Sequence, residues 1–294
     1  MTDISLKLEI SPDRPLKAEH LAILRIFDDV ARSLNIDYFL AGAQARDLIL
    51  GHVFNKRTGQ ATYDLDLGIC LEDWAKFDKL KSSLISMGCF TEGKAPQKMH
   101  FKRPQDQYST PLDLIPFGGV ENLDSTIEWP PEMNVVMNVS GFSEALRSAI
   151  LLKIAENFSI RVASLAGMAA LKLIAWQDRG QENQGKDAVD FLLIAKSYHD
   201  AGNEDRIYTE EMALLESLEY DPELAGIQML GKDVAKICLE TTRQSIDAIF
   251  SDSTLRQRLT DQLTSNSLTI GDEDSVLKVH AHLDLFYKGF SSKR

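Results

Sequence analysis

The hydrophobic pattern of the chain changes period about half-way along. Up to roughly residue 163 short apolar runs alternate with amphipathic stretches, and after Ser164 the spacing is helical throughout. In the first half, Leu21, Leu24, Phe27, Val30, Ala31 and Leu34 recur at helical intervals and predict an amphipathic helix over 18–34. Tyr38-Phe39-Leu40-Ala41 predicts a short strand broken by Gly42, with a short helix from Gln44 to Leu50 and a polar loop from Gly51 to Thr62. Thr62 to Ile69 alternates polar and apolar and predicts a half-buried strand, followed by a helix over 72–87. Met99-His100-Phe101 and Leu112-Asp113-Leu114-Ile115 predict two further strands, the second ended by Pro116 and Gly118-Gly119. Shorter β segments are expected near 127–129, 135–137, 151–153 and 160–162. In the second half Ser164 is placed as an N-cap for a helix over 165–179. A second helix is expected over 186–198, and three more after it. The pattern predicts an α+β fold: a mixed sheet with flanking helices over 1–140 and a mainly helical domain over 141–294.

Strand periodicity gives Asp64 and Asp66 their interest, because successive side chains of a strand alternate faces and these two share one. Two carboxylates held that close repel each other unless a cation lies between them. A hard ion such as Mg²⁺ suits the pair, being held by one or two carboxylates together with substrate phosphates. Asp113, in a later strand of matching alternation, supplies a third carboxylate for a site that clamps attacking and leaving oxygens with divalent ions. Gly42 ends a strand and opens a helix, where unpaired N–H groups and an approachable backbone favour a phosphate. Lys172 lies among Met168, Leu171, Ala175 and Trp176, so its stem is expected to pack on apolar neighbours.

Composition narrows this picture. Asp and Glu exceed Lys and Arg by 44 to 32, a formal net charge of −12. That excludes a broad basic surface for nucleic acid and leaves only a local patch, the densest in the first half being Lys94, Lys98, His100, Lys102 and Arg103. The three cysteines show no C-x-x-C spacing, which argues against a zinc site or disulfide framework and for the reduced cytoplasm. No apolar run reaches the length of a membrane span, and Met1-Thr2-Asp3-Ile4-Ser5 lacks the basic start and apolar core of a secretion signal.

Taken together, Ala-Gly-Ala-Gln-Ala-Arg-Asp from Ala41, Asp-Leu-Asp-Leu-Gly from Asp64, Leu-Asp-Leu-Ile-Pro-Phe-Gly-Gly from Leu112, Leu-Lys-Leu-Ile-Ala-Trp-Gln-Asp-Arg from Leu171 and Lys-Asp-x-x-Asp from Lys186 resemble the AbiEii-type group of the DNA polymerase β-like nucleotidyltransferases. The resemblance spans about Asp37 to Tyr198. It implies metal binding by Asp64, Asp66 and Asp113, with Mg²⁺ or Mn²⁺ as cofactor and a nucleoside triphosphate as substrate. It also implies that Gly42, Ala43 and Arg46 lie at the nucleotide, that Lys172 meets the triphosphate, and that Asp190, with Asp187 as second choice, is the acidic residue of the last motif. A Gly-Ser or Gly-Gly pair is usual at the first turn; here Gly42-Ala43 removes a hydroxyl contact. The activity so implied is transfer of a nucleotide to tRNA or another macromolecule by a toxin with a cognate antitoxin. Modification of a small molecule such as an aminoglycoside, and a catalytically degenerate binding protein, are the alternatives.

Overall fold

The computed structural model of the protein describes residues 8–59, 62–180, 184–265 and 273–292. The Met1–Ser5 segment and, within the expected 51–62 loop, Gln60 and Ala61 lie outside them. The chain divides into two compact units, Met1–Ser164 and Leu165–Arg294.

The first unit is a mixed sheet with flanking helices. Its elements run β1 (Leu8–Glu9), α1 (Ala18–Ser33), β2 (Asp37–Ala41), α2 (Gly42–Asp47), β3 (Leu65–Leu71), α3 (Trp74–Ser86), β4 (Phe90–Glu92), β5 (Lys98–Phe101), β6 (Thr110–Gly118), β7 (Thr126–Glu128), β8 (Val136–Asn138), α4 (Phe142–Arg147), β9 (Ile150–Ala155) and β10 (Phe158–Val162). Eight strands make the main sheet in the order β1-β9-β10-β2-β3-β6-β5-β4, and β7 and β8 form a separate antiparallel pair. Strands β9 and β10, beyond residue 140, thus belong to the main sheet. Ile23, Leu24, Phe27 and Ala31 of α1 are buried, as are Phe77, Leu80 and Leu84 of α3, which is the helical stripe that each sequence period requires.

Strand β3 pairs antiparallel with β2 and parallel with β6. Its Leu65, Leu67, Ile69 and Leu71 are buried on one face, as the alternation demands. The other face carries Asp66, Gly68 and Cys70. A Cβ on Gly68 would stand 2.5 Å from the Phe39 ring, so glycine here lets Phe39, Phe117 and Phe142 close into a cluster with centroids 5.8–6.0 Å apart.

Three local expectations are corrected. β3 begins at Leu65 rather than Thr62, so Asp64 precedes the strand. The helix after Gly42 does not stop at Leu50 but runs on through a π-helical turn, Leu48–Val53, shortening the loop. β6 continues through Pro116 to Gly118: β5 pairs with Thr110–Asp113 and the Leu114 N–H still reaches the Gln97 carbonyl, so Pro116 falls past that pairing, where no N–H is needed. β1, β4 and α4 were not foreseen.

The second unit is helical: α5 (Leu165–Arg179), α6 (Lys186–Ser197), α7 (Glu204–Thr209), α8 (Met212–Ser217), α9 (Pro222–Ile237), α10 (Glu240–Ser251), α11 (Ser253–Ser265) and α12 (Glu273–Ser291). Six helices therefore follow α6 among the described residues, where three were expected. Asp221 caps α9 by accepting from the Leu224 N–H at 3.0 Å, with Pro222 in the first turn. Phe191, Phe250, Phe286 and Phe290 meet in the core, and Gly231 and Gly289 let α9 and α12 approach closely. Arg206 of α7 and Tyr198, at the end of α6, both donate to Asp233 of α9, at 2.9 and 2.7 Å. Burial and the Asp233 charge push the Tyr198 hydroxyl pKa up, so it stays a proton donor. Among the described residues no helix is long and apolar enough to cross a membrane.

Candidate active site

The register of the sheet places the chemistry of the first unit in one lateral row. Ala41 of β2 pairs with Asp66 of β3, Asp66 with Asp113 of β6, and Asp113 with Lys98 of β5. Residues in register on adjacent strands point to the same side of a sheet. Asp66 and Asp113 therefore stand side by side, separated in sequence by a crossover that contains α3.

Each carboxylate has a defined neighbour. The Lys98 ammonium donates to both oxygens of Asp113, at 3.1 Å each. Asp66 lies against Gly42, whose φ of +67° is left-handed. A Cβ on Gly42 would run into the Asp66 Oδ2 and stand 2.7 Å from its Cγ, so glycine is required here both by backbone conformation and by space. Asp64, outside the strand, accepts from the Thr62 hydroxyl. Among the described residues no group of three His, Cys, Asp or Glu side chains is close enough to hold a metal ion. Asp66 and Asp113 nonetheless match the donor set of Mg²⁺ when substrate phosphates complete the shell, since one or two carboxylates suffice.

The remaining expected nucleotide-site residues of this unit lie in α2. Ala43 and Arg46 are buried, and the Arg46 guanidinium donates to Asp47 at 2.7 and 2.9 Å. Of the basic patch, Lys98 is committed to Asp113 and Arg103 to Asp106, at 2.9 Å.

In the second unit, Lys172 of α5 reaches Asp187 at 2.8 Å and Asp190 at 2.6 Å. The two aspartates are three residues apart on α6 and so share a face. The side chains are 12, 4 and 6% exposed for Lys172, Asp187 and Asp190, and Arg179 adds a contact to Asp187 at 3.3 Å. Burial alone would lower the Lys172 pKa and raise that of Asp187. Their mutual attraction wins in both cases, lifting Lys172 above and drawing Asp187 below the ordinary range. Lys172 is thus a buried paired lysine rather than one that snorkels to solvent.

Sequence reasoning named Lys98 only as part of a basic patch. The signal that could have found it is the alternation of β5, in which buried Met99 and Phe101 leave Lys98 and His100 on the opposite face. Thr62 and Arg179 were not singled out.

The sequence matches, over residues 61–269, the family described as nucleotidyl transferase AbiEii toxin of a type IV toxin–antitoxin system. No curated protein matches. Similar solved structures include an antigenic nucleotidyltransferase-like protein from Paracoccidioides brasiliensis, 20% identical, covering 69% of this chain and 93% of its own with a TM-score of 0.41. A lincomycin-bound lincosamide antibiotic adenylyltransferase, LnuA, is 16% identical and covers 62% of this chain and 97% of its own, with a TM-score of 0.36. JHP933 from Helicobacter pylori is 15% identical and covers 96% and 94%, with a TM-score of 0.35. At these scores the likenesses carry no weight for what this chain does. The family match spans well over half of the sequence and takes in the Asp66–Asp113 row and the Lys172–Asp187–Asp190 trio alike, and the chain belongs to the AbiEii nucleotidyltransferase toxin family.

Proposed function

We propose that this nucleotidyltransferase moves a nucleoside monophosphate from a nucleoside triphosphate to the end of a tRNA, with Mg²⁺ or Mn²⁺ at Asp66 and Asp113, as the toxin of a toxin–antitoxin pair in the cytoplasm. The observation that carries the reading is the registered pair Asp66–Asp113, with Gly42 packed on Asp66. A divalent ion bound there would neutralise triphosphate charge and make the acceptor hydroxyl more acidic. Asp66 and Asp113 would hold that ion from the sheet, and the left-handed turn at Gly42 lets the Asp66 carboxylate lie against the backbone. Asp113 takes the proton of the attacking hydroxyl and pyrophosphate departs. Asp64, which accepts from the Thr62 hydroxyl, is the third acidic group of the motif and lies outside the strand.

For the second unit, Lys172 is the residue that the family resemblance assigns to phosphate, and two of its three N–H bonds go to Asp187 and Asp190. Asp187 and Asp190 position Lys172 and keep it charged, while Arg46 lies in the helix that follows Gly42, paired with Asp47.

The net charge of −12 favours one alternative, a small cationic acceptor of aminoglycoside type. The test is incubation with each labelled nucleoside triphosphate and total tRNA, with an aminoglycoside in parallel. Label in tRNA from wild-type protein, and none from Asp66→Asn, is the expected result. Label in the aminoglycoside alone would replace tRNA as acceptor, and no transfer to either would overturn the reading.

A further inference from the structure

Lys98 of β5 stands at the end of the row that holds Asp66 and Asp113. It lies directly across from Asp113 in register, and its ammonium faces both carboxylate oxygens at equal distance, 3.1 Å. Asp113 is in turn the lateral neighbour of Asp66. A pair of adjacent carboxylates is repulsive without a cation, and Lys98 supplies one from the protein itself. Its side chain is 40% exposed, against 12% for Lys172. Lys98 can therefore swing into water at small cost, whereas Lys172 cannot. A compact ammonium on a flexible stem suits that exchange better than the planar fork of an arginine.

We propose that Lys98 is a built-in counter-cation of the metal site, holding Asp113 until a nucleotide-borne divalent ion replaces it. The proposal rests on the reading of Asp66 and Asp113 as metal ligands and adds an order of events. A bare divalent ion must displace the ammonium from Asp113 and so binds weakly. With a triphosphate present, the displaced ammonium gains phosphate oxygens as new partners, and ion and nucleotide enter together. Lys98 thus acts as a positioning residue that couples metal occupancy to nucleotide occupancy.

The experiment is a Mn²⁺ titration followed by the electron paramagnetic resonance of free Mn²⁺, on wild type, Lys98→Met, Lys98→Gln and Asp66→Asn. Each is measured alone and with a non-hydrolysable nucleoside triphosphate analogue. Lys98→Gln keeps a hydrogen-bond donor and removes the charge, covering the case in which Lys98→Met fails to fold. Without nucleotide, both Lys98 variants should bind Mn²⁺ about five- to tenfold more tightly than wild type, the scale of a partly exposed ion pair. The analogue should strengthen Mn²⁺ binding in wild type by a larger factor than in either variant. Unchanged or weaker Mn²⁺ affinity in the Lys98 variants, with binding abolished in Asp66→Asn, would overturn the role of Lys98 and leave the metal reading standing. Equal binding by Asp66→Asn and wild type would overturn the metal reading, and the counter-cation with it.

Discussion

Gly42 and Asp66 constrain each other. Substituting Gly42 by alanine asks an L-residue to hold φ near +67° and sets a methyl where the Asp66 carboxylate now lies. The backbone term alone is about 1–2 kcal/mol, small beside the stability of a domain. Displacing a catalytic carboxylate by an ångström costs far more in rate, about 10²-fold. Gly42→Ala is therefore expected to stay folded by circular dichroism and to lose nucleotide transfer by at least that factor. Retained activity would show that Asp66 is not where the reaction happens. Lys172 behaves differently: a methionine there removes the buried ammonium that Asp187 and Asp190 share and leaves Asp187 with the Arg179 contact, a loss of about 3–5 kcal/mol. Urea denaturation should show Lys172→Met strongly destabilised, and the double variant with Asp190→Asn less so than the sum of the two singles. A Lys172→Met protein as stable as wild type would mean that the trio holds nothing together.

At the scale of elements, the strands and helices with clear periods were legible and the pairings between them were not. The helix over 165–179 and the strand beginning near Tyr38 follow from spacing alone. Pro116 was read as an end to β6 because local sequence does not say whether a residue has a neighbour on one side or two. The same blindness hid Lys98: it precedes Asp113 by fifteen residues, and only the register of the β5–β6 hairpin brings the two together. Alternation sets Asp64 on a strand, whereas it precedes β3 and accepts a hydrogen bond from the Thr62 hydroxyl. The pairing of α5 with α6 carries a pH signature. Asp187, depressed in the fold, contributes stability that is present above the unfolded carboxylate pKa and lost as pH falls through the folded one. Lys172, raised, contributes stability that is present below its unfolded pKa and lost as pH rises through the folded one. Thermal melts should thus show this contribution intact between about pH 4 and pH 10 and declining outside those limits. In Asp187→Asn the acid-side decline should shrink.

For the molecule as a whole, the charge balance sets how an acceptor is met. With a net charge of −12, and Lys98 and Arg103 already paired with carboxylates, a tRNA would find few phosphate contacts on the first unit. Its apparent affinity should fall by clearly less than the ~10³-fold expected between about 50 and 200 mM salt for a protein making six to ten such contacts. A steeper slope in filter-binding measurements would point to basic residues beyond these. Metal and nucleotide act on the whole fold by mass action: at about 100 times their Kd they should add ~2.7 kcal/mol to stability. The melting temperature of wild type should rise accordingly with Mg²⁺ and a nucleoside triphosphate, and that of Asp66→Asn should not.

The lateral row from Ala41 to Lys98 makes the length of one hairpin a chemical variable. The 102–109 connection joins β5 to β6 and thereby determines which residue of β5 meets Asp113. Side chains alternate faces along a strand, so a slip of one position would bring Met99 or Gln97 opposite Asp113 and turn Lys98 to the other side of the sheet. A slip of two would restore the face but not the partner. Deleting a single residue from this connection would leave composition and net charge almost untouched and still take away the ammonium from Asp113, so in this chain indels in a surface turn can be as consequential as substitutions in the site.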